Sequence, residues 1–299
     1  MVIEPVIRVG VDGSWRDTGA LEWALQESSL RHEPIHAVHV IEEGLRDSPY
    51  WEPTVVDEAA MKLIDEVQQY VKTTEPRLDH QVDLQVGPPA ATLASLAEGC
   101  RMLVVGRRGL GGFKRLLIGS TSDAVANEAS VPVVVVPEGW KAQQRHGPVV
   151  VGLDDSSDNE AAIEFAATAA AERFVPLRMV HVWDLPYVYS WDAMNAASQS
   201  EEWAEAAQGH FDELAAQWRD RYPMLEIQAD VIQGHPVGSL VETAELSEAQ
   251  LLVLGGRKHR RLTTALMGSV ARGVLHHARC PVAIVHLPRR PESGSAGRA

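Results

Sequence analysis

The chain contains the same unit twice. Val9-Gly10-Val11-Asp12-Gly13-Ser14 returns as Val151-Gly152-Leu153-Asp154-Asp155-Ser156, 142 residues further on, and Val38-His39-Val40 returns as Val180-His181-Val182 at the same offset. Gly87-Pro88-Pro89 is matched by Gly234-His235-Pro236 at an offset of 147. Gly106 is matched by Gly255, Gly119-Ser120 by Gly268-Ser269 and Val131-Pro132 by Cys280-Pro281, all at 149. An offset that grows in two small steps is the trace of loop insertions in a duplicated domain. The period is far too long for a solenoid, whose repeats run to about 20–50 residues. A length of 299 residues suits two domains of about 150 residues each.

Within each half, strands alternate with helices. Strands are expected at 6–12, 35–41, 81–86, 102–106 and 133–136 of the first half. The last is a run of four valines, the mark of a parallel strand buried on both faces. Thr18 to Arg31 reads as a helix with Ala20, Trp23 and Ala24 on one stripe, and Ser157-x-x-Glu160 reads as a capping box opening the matching helix of the second half. Such alternation implies a parallel sheet with right-handed crossovers. The domains are expected at 1–140 and 146–287, joined by the polar stretch Glu138–Pro148. Residues 288–299, rich in Arg, Pro, Gly and Ser, are expected to be disordered.

The chemistry concentrates in a glycine pattern. Gly106-Arg107-Arg108-Gly109 follows the apolar run Met102–Val105, and nine residues later Gly119-Ser120 opens a helix. Glycine lets main-chain N–H groups approach a ligand with no Cβ in the way. A helix start adds free donors and the positive end of a dipole. Arg107, Arg108, Lys114 and Arg115 cluster there in an otherwise acidic chain, either as phosphate ligands or as a solvated loop. The second half departs from the pattern: Lys258 stands at the position of Gly109, and Arg260 and Arg261 at those of Gly111 and Gly112. If the backbone needs φ > 0 there, a lysine costs about 1–2 kcal/mol. Two readings remain open for that half, weakened binding through side chains or a unit kept for packing.

Gly-x2-Gly-x9-Gly-Ser, a first strand ending Val-Gly-Val-Asp-Gly-Ser, and the closing Val-Pro-Val-Val-Val-Val-Pro together resemble the universal stress protein family. Two such units in one chain are similar to the tandem stress proteins of actinobacteria. The resemblance implies an α/β fold of two tandem Rossmann-like (adenine nucleotide alpha hydrolase-like) domains. Each would be a five-stranded parallel sheet with helices on both faces and ATP, with or without Mg²⁺, at the carboxyl ends of the strands. By resemblance, Gly10 and Asp12 lie beside the adenosine and Val40 offers backbone groups to adenine. Gly106, Arg107, Arg108, Gly109, Leu110, Gly111 and Gly112 wrap the phosphates, and Gly119, Ser120 and Thr121 complete that site. The corresponding residues of the second half are Gly152, Asp154, Gly255, Gly268 and Ser269, and Asp184, just after the second strand of that half, is placed to touch ribose or adenine. Asp184 reads equally as a plain loop acid. The resemblance further implies a nucleotide-dependent sensor of stress or dormancy that forms a homodimer and acts on a protein partner. Members pair through the last strand of each domain, a pairing that in this chain can join the two halves.

The remaining features narrow the class. A formal net charge of −14 opposes nucleic acid or an anionic membrane as the main partner. Two cysteines, Cys100 and Cys280, are too few for a disulfide framework and suit a reducing cytoplasm. No secretory leader and no apolar run of about 18 residues is read. No histidine joins a zinc-type motif. His39 and His181, at matched positions, read as hydrogen-bonded strand residues. The aromatic loops around Tyr50-Trp51 and Tyr187–Trp191 read as packing or as a lid. No nucleophile–base constellation or Walker pattern occurs, so the chain is read as a non-enzyme with weak ATPase activity at most. The alternatives are a slow ATPase or nucleotidyl-transfer enzyme on the same fold and a nucleotide-free interaction scaffold.

Overall fold

Strands and helices alternate through the computed structural model, which describes residues 4–42, 53–109, 117–141, 146–155, 157–184, 193–256 and 267–286. The first half carries β1 (Glu4–Gly10), α1 (Trp15–Thr18), α2 (Ala20–Arg31), β2 (Ile35–Ile41), α3 (Pro53–Thr74), β3 (His80–Val86), α4 (Pro89–Leu96), β4 (Cys100–Gly106), α5 (Ser120–Glu128) and β5 (Val133–Val136). The second carries β6 (Val149–Leu153), α6 (Glu160–Arg173), β7 (Leu177–Trp183), α7 (Ala193–Arg221), β8 (Ile227–Gln233), α8 (Pro236–Leu246), β9 (Leu251–Gly256), α9 (Ser269–His277) and β10 (Val282–His286). The tail expected to be disordered lies outside the described residues.

The strands of each half pair in parallel, and the register repeats with the sequence: Ile7 faces Ile35 as Val149 faces Leu177. The two sheets do not stay separate. β5 and β10 run antiparallel, with Val133 opposite Ile284 and Val135 opposite Val282. The result is one ten-stranded mixed sheet in the order β3-β2-β1-β4-β5-β10-β9-β6-β7-β8. The reason is local: Val133–Val136 and Val282–His286 are buried along their whole length, and an apolar edge of that kind must be covered.

Burial on both faces follows from the alternation of side chains along a strand. Met102, Val104, Val134 and Val136 pack into the core layer that holds residues of α2, α3, α6 and α7. Leu103, Val105, Val133 and Val135 pack into the layer with α4, α5, α8 and α9. The outer strands are polar instead. His36 Nε2 lies 2.7 Å from Asp83 Oδ2 in the first half, and Arg178 Nε lies 2.5 Å from Asp230 Oδ2 at the equivalent place in the second.

Three local expectations are corrected. β1 closes at Gly10, so Asp12 stands beyond the strand, where its carboxylate accepts Ser14 N–H at 2.9 Å and turns the chain. The helix expected from Thr18 is broken at Gly19, whose φ of 71° no helix continues through, and α2 begins at Ala20. The Ser157 capping box does not form. Ser157–Asn159 wind as a 3-10 turn, the cap position falls to Asn159, and Asn159 Nδ2 donates to Asp154 O at 2.7 Å.

Beneath the sheet, α2 and α6 meet through a buried ion cluster. Glu27 is 2% exposed and is flanked by Arg31, at 3.2 Å, and Arg173. Arg31 also reaches Glu172 at 2.8 Å. Arg31 and Arg173 are the same position in the two units, at an offset of 142. Burial raises the Glu172 carboxyl above the usual carboxylate range, while Arg31 pulls it down. Replacing Glu27 by Ala leaves the buried Arg173 guanidinium without its ion-pair partner, while Arg31 keeps Glu172, and costs about 3–5 kcal/mol. Arg279→Ala removes an exposed partner of Glu245 and costs less than about 1 kcal/mol. Urea unfolding of both variants against the wild type checks the contrast, and equal costs would refute it.

Candidate functional site

At the carboxyl ends of β1, β2 and β4 lies a cleft of about 570 Å³. Open α/β sheets place ligand sites at this edge. One wall is apolar: Val38, Val40 and Ile41 from β2, Ala60 and Leu63 from α3, Pro89 and Leu93 from α4. The other is polar and small: Gly10, Asp12 and Gly13 after β1, Gly106, Arg108 and Gly109 after β4, and Gly119, Ser120, Thr121 and Ser122 at the start of α5.

The glycines are explained by close approach. An ideal Cβ on Gly109 would sit 2.1 Å from Asp12 Oδ2, and one on Gly106 would sit 2.7 Å from Thr18 Cβ. The Asp12 carboxylate has little room to yield, because its Oδ1 also accepts Ser14 N–H at 2.9 Å and the Ser14 hydroxyl at 2.5 Å. Gly109 is not among the positive-φ residues. The condition set for a lysine penalty at this position is therefore not met in the first half, and the need for glycine comes from Asp12 instead.

The helix start leaves main-chain donors without a side-chain cap. Gly119 is the N-cap of α5, extended at φ −72° and ψ 149°, and no side chain caps the helix. The first N–H groups of a helix lack intrahelical acceptors, and here they belong to residues that line the cleft. Gly119 N–H donates to Arg107 O at 2.8 Å. The buried Ser122 hydroxyl donates to Gly106 O at 2.6 Å, pinning the helix start to the end of β4. Arg108 adds a cation whose buried Nε has no hydrogen-bond partner among the described residues. Its Nη1 stands 3.5 Å from Glu138.

The structure thus brings together Gly10, Asp12, Val40, Gly106, Arg108, Gly109, Gly119, Ser120 and Thr121. Arg107 departs: its guanidinium turns away and donates to Ala278 O at 2.9 Å in the other half. Burial pushes that guanidinium below its usual range, with Glu138 opposing. Leu110, Gly111, Gly112, Lys114 and Arg115 lie outside the described residues, as do Tyr50-Trp51 and Tyr187–Trp191. The sequence reading missed Thr18, His39, Glu42 and Ser122 as cleft residues. Ser122 carried a usable signal, a hydroxyl in the first turn after Gly119-Ser120. His39 is half-buried and its Nδ1 lies 2.9 Å from Val11 O. A carbonyl only accepts, so Nδ1 carries the proton.

The second half keeps the frame with different detail. Gly152 leaves room for Leu254, whose Cδ2 would stand 2.6 Å from an added Cβ. Asp154 is half-buried and Asp184 is exposed just beyond β7. Gly255 has open space around it, whereas Gly256 touches His286. Gly268 caps α9 in the same extended conformation as Gly119, and Ser269 is exposed at its first turn. His181 is buried and stacks on Phe211 at 4.4 Å, whereas His39 looks into the first cleft. The loop holding Arg257, Lys258, Arg260 and Arg261 lies outside the described residues.

A family model described as the Universal stress protein family matches residues 6–137 and 146–286. A universal stress protein of Mycolicibacterium smegmatis is 33% identical over 293 residues, covering 93% of this chain and 96% of the relative. One from Mycobacterium tuberculosis is 30% identical over 289 residues, covering 92% and 95%. The crystal structure of a universal stress protein from Archaeoglobus fulgidus aligns with a TM-score of 0.68 at 19% identity, covering 95% of this chain and 98% of that one. This last likeness speaks for the fold.

The contact between Gly109 and Asp12 makes a direct prediction. Gly109→Ala costs about 1–3 kcal/mol through overpacking, and adding Asp12→Gly recovers most of that loss. Urea unfolding of the two single variants and the double variant measures it. A loss at Gly109 that is the same with and without the Asp12 carboxylate would show that the approach carries no strain.

Proposed function

The chain belongs to the universal stress protein family, and on that premise we propose that it is a cytoplasmic ATP-binding protein acting as a nucleotide-dependent sensor in stress or dormancy. The observation that carries this reading is the join of two unlike walls in one cleft. An apolar wall of β2, α3 and α4 faces an uncapped helix start flanked by Gly106, Arg108 and Gly109. A flat aromatic base suits the first, and a chain of phosphates suits the second.

In this reading Val40 and Ile41 border adenine, and Asp12 takes a ribose hydroxyl. Gly106, Gly109 and the first turn of α5 hold the phosphates, with hydroxyls from Ser120 and Thr121. Each charge-assisted bond from Arg108 or a main-chain N–H contributes about 1.5–3 kcal/mol before desolvation. In this reading Mg²⁺, where present, arrives with the nucleotide, bound through the phosphates. Bound ATP restrains Gly106–Gly109 and the start of α5 and shifts the population of a surface that a partner protein or a second copy reads. Membership in this family fits a role other than catalysis. Among the described residues no helix is long and apolar enough to cross a membrane.

Two units, 1–140 and 146–287, give two frames for such a site. The first is the stronger, and Lys258 weakens the second. Titration calorimetry with ATP on the wild type, Gly109→Lys and Lys258→Gly tests this assignment. We expect Gly109→Lys to abolish the tighter site and Lys258→Gly to strengthen or create another. Unchanged affinity and stoichiometry in Gly109→Lys would remove the site from this cleft.

A further inference from the structure

Arg107 stands in the middle of the glycine pattern, and its side chain serves the other half of the molecule. Its main chain gathers the phosphate-side elements of the first cleft. The N–H donates to Val136 O at 2.7 Å, at the end of β5, and the carbonyl accepts Gly119 N–H at 2.8 Å, at the cap of α5. Its Nη1 then crosses the seam and donates to Ala278 O at 2.9 Å. Ala278 is the C-cap of α9. The last carbonyls of a helix lack partners and carry the negative end of its dipole, so a guanidinium is well placed there.

A second bond runs the opposite way. Asn127, near the end of α5, accepts Met267 N–H through Oδ1 at 2.9 Å. Met267 immediately precedes Gly268, the cap of α9. The Asn127 amide is itself held, since Nδ2 donates to Asp123 O at 2.6 Å. Midway between the two bonds, Arg272 of α9 lies 3.2 Å from Asp123 of α5. The two helices therefore lie antiparallel. The glycine-serine start of each is tied to the far end of the other, by contacts that the two sequence patterns do not share. Arg107 corresponds to Gly256, and Asn127 to His276, at the offset of 149.

We propose that Arg107 is a positioning residue that couples the two halves, so that a ligand held at Gly106–Gly109 and the cap of α5 also steadies α9 across the seam. The proposal rests on the nucleotide reading above for the identity of the ligand, but not for the existence of the tie. The reasoning is linkage. Arg107 holds the main chain of Gly106–Gly109 and the cap of α5 with one end and the end of α9 with the other. Restraint at either end lowers the freedom of the other, and the coupling is equal in both directions. The Nε of Arg107 is also buried without a hydrogen-bond partner among the described residues. When the Ala278 contact is broken, the nearby Glu138 carboxylate still favours this buried charge, but the hydrogen bond from Nη1 is lost.

Amide hydrogen exchange on the full chain, with and without ATP, tests this in the wild type, Arg107→Ala, Arg107→Lys and Asn127→Ala. Without ATP, Arg107→Ala speeds exchange in residues 269–278 about fivefold or more, and Asn127→Ala does the same for residues 267–271. With ATP, α9 gains protection in the wild type and loses that gain in Arg107→Ala. Affinity for ATP falls about five- to tenfold in Arg107→Ala at unchanged stoichiometry, and Arg107→Lys recovers most of it. Exchange in α9 that is identical in the wild type and Arg107→Ala overturns the proposal, as does equal ATP-dependent protection in both. If Arg107→Ala fails to fold, Asn127→Ala and Arg107→Lys put the same question from the two ends. A wild type that binds no ATP removes the nucleotide reading, and the ligand-free exchange still decides the tie.

Discussion

The molecule depends on the seam between β5 and β10. These are short strands, and every residue in both is buried. Fully burying one valine or isoleucine is worth about 1.5–3 kcal/mol, so an uncovered edge of this composition would be costly and prone to join other chains. The antiparallel pairing covers both edges at once. It also fixes what lies above and below: α2 against α6 on one face and α5 against α9 on the other. The buried Glu27 cluster and the Arg107 anchor both exist because the seam sets those helix pairs in register.

Much of the fold was legible in the residues. Repeated Val-Gly-x-Asp and Gly-Ser motifs announced two units of one kind, and the valine runs announced strands buried on both faces. These signals are local in character, and periodicity survives in any surroundings. The joining of the sheets came only by way of the family resemblance, because an antiparallel pairing across some 150 residues leaves no local mark in the chain.

What escaped the sequence was the atom that each special residue answers to. Gly109 advertised itself as a glycine, but its reason is Asp12, nearly a hundred residues earlier, and not a left-handed backbone. Arg107 and Arg108 are neighbours of the same type, yet one faces the cleft and the other crosses to α9. Burial and the position of an acceptor in another unit decide between them, and neither is written in a single loop. The Ser157 capping box failed for a related reason. Its local propensity was sound, but an Asn159 side chain that bonds Asp154 shifted the helix start.

In a pair of separate identical subunits, any alteration at one site is necessarily copied at the other. Here the seam joins β5 and β10 of one polypeptide, so the two strands that meet across it differ in sequence. Selection can therefore retune Lys258 while leaving Gly109 alone, or add an arginine at 107 where its counterpart is a glycine. The covalent link turns a symmetric architecture into one free to divide its labour.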